Sequence, residues 1–186
     1  DGQHEWEGYI PHDELPKAIN PDSGYAVTCN QRVAEHDYPY YVGISFTPEY
    51  RGRRVQERIR QLAEGSATVE DMGTIHAERL SLPARLMVTR LAGAESDDAV
   101  VSQALSYLRV WDCRMDREDV APSIYAEMRS HLITLVSRSV FGEKADELLS
   151  GIAGADGHVR FVALAVNVAI EKDDTSLLPD AMGWRD

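Results

Sequence analysis

From Pro48 onward the apolar residues recur at intervals of three and four, whereas before it they alternate or scatter among turn formers. Pro48-Glu49 suits the first turn of a helix, where proline forfeits no hydrogen bond and an acid meets the positive end of the dipole. Tyr50, Val55, Ile59 and Leu62 carry that helix towards Gly65. Thr68-Val69-Glu70-Asp71 reads as an N-cap with acids in the first turn, and Pro83 interrupts or restarts the helix it opens. Ser96-Asp97-Asp98 caps another, with Val100, Val101, Ala104, Leu105, Leu108 and Trp111 as one apolar stripe. The next begins across Asp119 to Pro122, turns Ile124, Tyr125, Met128, Leu132, Leu135 and Val136 inward, and stops at Gly142. Shorter helical runs follow near residues 143–150 and 157–171, and DDTSLLPDAMGWRD is loop-like.

Residues 1–48 are built differently. Asn20-Pro21-Asp22-Ser23-Gly24 is dense turn chemistry, and Gly24 permits a positive φ. Tyr25 to Cys29 then alternates in β-prone residues, which predicts a half-buried strand ending on Asn30 and Gln31. One or two strands cannot satisfy their own edges. The predicted fold class is therefore α+β: a short β-rich part over residues 1–48 joined to a predominantly α-helical region over 49–186, the whole a fragment of a larger chain that supplies the missing strands. An opening on Asp1 rather than methionine agrees with a processed or excised segment.

Composition narrows the picture. In 186 residues, a 44% hydrophobic content can bury the core of one domain. No run reaches the roughly 18 apolar residues of a membrane span, and no basic head followed by an apolar stretch marks a signal peptide. Thirty-one acids against 19 bases give a net charge of −12, which argues against a nucleic-acid surface. Only Lys17, Lys144 and Lys172 are lysines; the other bases are arginines. Such acid-rich, lysine-poor composition fits a protein of a high-salt cytoplasm or a simply acidic mesophilic one. Cys29 and Cys113 form no metal-ligand spacing or disulfide framework and read as buried free thiols. The six histidines never occur as a zinc-type i,i+4 pair.

The order of features carries more than any one of them. WEGYIPHDELPKAINPDSGYAVTCNQR, then HDYPYY, YRGRRVQERI, TVEDM, LRVWDCRMD and APSIYAEM resembles the penicillin amidase (penicillin acylase) family. These are N-terminal-nucleophile hydrolases, which include acyl-homoserine-lactone and glutaryl-cephalosporin acylases. The resemblance implies an internal segment of the large catalytic chain, its β-rich part belonging to an αββα core. It implies hydrolysis of the side-chain amide of an N-acyl substrate, of β-lactam or N-acyl-homoserine-lactone type, through an acyl-enzyme on an N-terminal serine absent from this chain. That serine's own amine, titrating near ~8, would serve as base.

Within this sequence the resemblance makes Asn30 the oxyanion-stabilising residue and Arg54 the arginine that orients Asn30 or contacts substrate, with Arg51 and Arg53 as alternatives in register. Gln31 stands where the family often has a second asparagine. Calcium binds some relatives through an aspartate. Tyr41 or Val42 occupies that region here and Asp37 falls in a turn, so no metal and no other cofactor are expected. The partners implied are a small N-acyl substrate, the rest of the large chain and the small chain of a processed precursor, with no nucleic acid or membrane. Relatives are often periplasmic or secreted. The rival reading is a non-catalytic binding or assembly module.

The acidic, lysine-poor surface generates one test. If salt screens self-repulsion in a high-salt protein, thermal stability rises from dilute buffer to molar KCl. A melting temperature no higher in molar KCl refutes the high-salt reading.

Overall fold

Backbone amides and carbonyls that leave water must find partners, and the two parts of this chain meet that demand in different ways. The computed structural model describes the chain except for residues 1, 3, 4, 36, 44, 45, 63, 64, 150–154, 181, 185 and 186, and describes 155–160 by backbone alone. It divides into two units, Asp1–Ala67 and Thr68–Asp186.

The first unit holds one α-helix, α1 (Tyr50–Arg60), and a single short 3-10 turn at His12–Glu14 among its described residues. The strand predicted over Tyr25–Cys29 is absent. Among the described residues no β-strand forms anywhere, and the only pairing is an isolated antiparallel bridge between Leu80 and Arg114. The α+β expectation, with residues 1–48 as a β-rich part of an αββα core, is thus corrected to a helical architecture with an irregular N-terminal part. The alternation that prompted it is real: Tyr25, Val27 and Cys29 are half-buried while Ala26, Thr28 and Asn30 are exposed. What is missing is a neighbouring strand, and side chains take over the backbone groups that a ladder would have used. The described residues of the segment before it are exposed apart from Ile10, with Trp6 and Tyr9 almost fully in solvent. Tyr38 and Tyr40 tether it by donating to the backbone oxygen and the carboxylate of Glu14.

The second unit is a helical array of α2 (Val69–His76), α3 (Leu82–Arg90), α4 (Ala99–Val110), α5 (Ala121–Phe141), α6 (Ala145–Leu149) and α7 (Ala155–Lys172). Its ends follow local chemistry. Thr68 and Asp71 form a reciprocal capping box on α2, and Pro83 restarts the chain as α3 within its first turn. The Asp98 carboxylate accepts from the Val100 and Val101 amides at 2.8 and 3.1 Å. Gly142 ends α5 at φ 56°, a conformation that favours glycine.

Helix α5 packs against α4, α6 and α7, and α3 packs against α7. Ala84, Met87, Leu108, Tyr125, Ile133 and Val166 lie at the centre of the core. The predicted stripes are partly redrawn. Val100 and Val101 stay exposed because α4 enters the core only from Leu105, and on α5 Ile133 is buried while Leu135 faces solvent. The tail is irregular, yet Leu177, Leu178 and Trp184 pack on the core beside an apolar cavity of about 540 Å³.

An irregular corner joins α4 to α5. Ser81 donates to the Cys113 carbonyl at 2.8 Å, Met115 to Arg79 at 2.9 Å, and the Trp111 indole to Arg114 at 2.9 Å. Arg79 and Arg114 both pair with Asp116, and Arg114 also reaches Glu78. Neither cysteine forms a disulfide; Cys113 is buried, but Cys29 is only half-buried, unlike the buried thiol expected of it.

Two outcomes are expected. Leu108→Ala empties part of this core and lowers unfolding free energy by about 2–5 kcal/mol in denaturant titration. Asp116 is held below the ordinary carboxylate range, first by the hydrogen bond from Arg79. A lowered folded pKa adds stability above the unfolded value, near ~4, that is lost as pH falls through the lowered one. Asp116→Asn should therefore flatten the acid limb of the stability curve; an unchanged limb contradicts this.

Candidate active site

Asn30 sits at φ 65°, the left-handed region that asparagine tolerates better than most side chains. It turns the chain sharply out of the alternating stretch. The turn is fixed from the segment leading into α1: the Thr47 amide donates to the Asn30 carbonyl at 2.8 Å, and the Thr47 hydroxyl to the Cys29 carbonyl at 2.7 Å.

Arg51, in the first turn of α1, completes the arrangement. Its Nη2 donates to the Cys29 carbonyl at 2.7 Å and to Asn30 Oδ1 at 2.8 Å. This settles the orientation of the amide on chemical grounds. A guanidinium has donors only, so the asparagine atom facing it is the oxygen. The NH2 end therefore points away from Arg51, and among the described residues it has no acceptor. An exposed, neutral donor, pinned at its other end by a cation, is what the geometry provides.

Gln31 lies beneath the turn. Its Oε1 accepts from the Cys29 amide at 2.5 Å and its Nε2 donates to the Val27 carbonyl at 3.0 Å. Gly52 of α1 is buried against this amide.

The structure thus brings Asn30 together with Arg51, one of the three arginines considered in the sequence. Arg54 pairs with Glu57 at 3.0 Å, its side chain largely buried, and the Arg53 guanidinium lies over the Tyr50 ring at 5.8 Å from its centroid. Sequence reasoning left Gln31 without a role. The signal that could have found it is Gly52 itself, a helix-weakening residue at the third position of α1. Asp37 and Tyr41 are exposed and Val42 is half-buried. Among the described residues no group of three or more His, Cys, Asp or Glu side chains is arranged to hold a metal ion, and no helix is long and apolar enough to cross a membrane.

Comparison with known proteins agrees with the order of motifs. Residues 1–182 match the family model described as penicillin amidase. The chain is also 33% identical over 185 residues to the penicillin acylase 2 proenzyme of Pseudomonas sp. (strain SE83). That similarity covers 98% of this chain but 23% of the relative, so the chain spans about a quarter of the relative's length.

Proposed function

The chain belongs to the penicillin amidase family, and from that premise we propose that it supplies the oxyanion-stabilising part of an acylase active site in the complete protein. The observation that carries this reading is the Asn30 amide, its oxygen occupied by Arg51 and its NH2 end turned outward. Hydrolysis of an amide through an acyl-enzyme passes through a tetrahedral intermediate whose carbonyl oxygen becomes negative. A fixed N–H aimed at that oxygen stabilises the charge as it develops and needs no reorganisation at the moment of reaction. Because an amide does not titrate, its donor strength is the same across the working pH range.

Arg51 improves the donor in two ways. It holds the amide in one rotamer, and its charge on Oδ1 draws electron density from the NH2 group, making the N–H a stronger donor. The serine nucleophile and its base would come from elsewhere in the complete protein, as would the remaining walls of the acyl pocket. The substrate in this reading is an N-acyl compound of β-lactam or acylated homoserine-lactone type, and the working partners are the rest of the large chain and the small chain. No step here calls for a metal or other cofactor.

The test uses processed, full-length enzyme checked by mass. Asn30→Ala should lower kcat by roughly 10²–10³, with far less change in KM, because the donor acts on charge formed in the transition state. Arg51→Gln should lower kcat by about tenfold, the scale of one charge-assisted hydrogen bond. Arg54→Ala should be milder, since Arg54 pairs with Glu57 on its own helix. Near-normal kcat in correctly processed Asn30→Ala enzyme overturns the reading.

A further inference from the structure

We propose that Gln31, seated against Gly52, is a positioning residue that keeps the Asn30 turn in its donating geometry. The inference rests on Asn30 being the oxyanion donor. Asparagine tolerates the left-handed region, but it stays in one donating geometry only where its surroundings hold it there. On the carbonyl side of Cys29 that work is done by Thr47 and Arg51. On the amide side it is done, among the described residues, by Gln31: the Cys29 N–H donates to Oε1 at 2.5 Å, and the same carboxamide reaches back from Nε2 to the Val27 carbonyl at 3.0 Å. The residue preceding Asn30 is therefore clamped on both faces, and one face depends on a single side chain.

The length and polarity of glutamine are both used. One end of the amide must accept and the other donate, which a carboxylate or an apolar isostere cannot do. The seat is equally specific. A Cβ on Gly52 would stand 3.3 Å from Gln31 Nε2, tighter than ordinary packing, and 3.4 Å from its Cδ and Oε1, at the edge of ordinary contact. An amide held by two backbone bonds has to shift by a few tenths of an ångström to admit it. Glycine costs about 1 kcal/mol against alanine inside a helix, so its presence in α1 is accounted for by the room that Gln31 needs.

The experiment is a double-mutant cycle in processed, full-length enzyme: parent, Gln31→Met, Asn30→Ala and the pair. Methionine fills the same space without the two hydrogen bonds. In the Asn30 background Gln31→Met should lower kcat about tenfold with KM unchanged, the scale of two ordinary hydrogen bonds. In the Asn30→Ala background it should change kcat by less than about twofold, since a residue acting through Asn30 has nothing left to position. Amide exchange at Cys29 should accelerate in Gln31→Met.

Should that variant not fold, Gly52→Ala presses on the same amide and replaces it in the cycle, with a loss of about threefold expected from strained rather than broken bonds. Equal losses in both backgrounds, a loss confined to KM, or unchanged Cys29 exchange overturns the proposal. Parental kcat in Gln31→Met beside a defective Asn30→Ala overturns the positioning role alone. Parental kcat in Asn30→Ala overturns the oxyanion reading and this inference with it.

Discussion

The carbonyl oxygen of Cys29 faces no strand, and both of its acceptor directions are taken by side chains, the Thr47 hydroxyl and the Arg51 guanidinium. An extended segment without a ladder must satisfy its amides and carbonyls in some such way or leave them to water. Here that requirement and the geometry of the site are one thing. The guanidinium that satisfies Cys29 is also bonded to Asn30 Oδ1, and the segment that supplies Thr47 also holds the turn by donating its own amide to the Asn30 carbonyl. The backbone could not relax at Asn30 without breaking bonds at Cys29. A left-handed residue that would otherwise drift among conformations is thereby held in one.

The helical unit solves a related problem at its own irregular corner. Cys113 also has a positive φ, 66°, and its carbonyl is likewise taken, by the Ser81 amide. Here burial replaces charge as the main support: Trp111 packs on Tyr125 with ring centroids 5.6 Å apart, and the Cys113 thiol is enclosed. Burial pushes that thiol's pKa up, so it stays protonated and unreactive at neutral pH. The ion pairs among Glu78, Arg79, Arg114 and Asp116 surround the corner with their arginines in contact with water, where each pair contributes little alone. The two units thus fix non-glycine turns by opposite means, one with polar side chains in partial contact with water and one with aromatic packing.

Much of the helical unit was legible in the sequence because its signals are local. Thr68, Asp98, Pro83 and Gly142 act within four residues of where they stand, and each marks a helix end in the structure. The β expectation went wrong because alternation reports only which residues face inward, not whether a second strand lies alongside. Tyr25, Val27 and Cys29 do face inward. The sequence put Arg54 first and Arg51 and Arg53 as alternatives in register, and could not rank them by direction for a similar reason. Neighbouring positions on a helix differ by about 100° in direction, and a cluster such as Arg51, Arg53 and Arg54 offers every direction at once. Only the placement of α1 against the Asn30 turn makes Arg51 the one that reaches the amide.

The preference for arginine over lysine in this chain has a physical use at that position. Both hydrogens of one nitrogen, Arg51 Nη2, are directed to two acceptors 2.7 and 2.8 Å away, Cys29 O and Asn30 Oδ1. The planar guanidinium fixes the angle between those two bonds, so orienting the first acceptor orients the second. An ammonium group could reach either oxygen, but it rotates about its stem and is strongly hydrated, so it would not transmit direction from backbone to amide. The same pair of bonds keeps the asparagine oxygen capped and the NH2 end outward. In a chain with 31 acidic side chains, the arrangement sets a cation directly against the oxygen of the Asn30 amide.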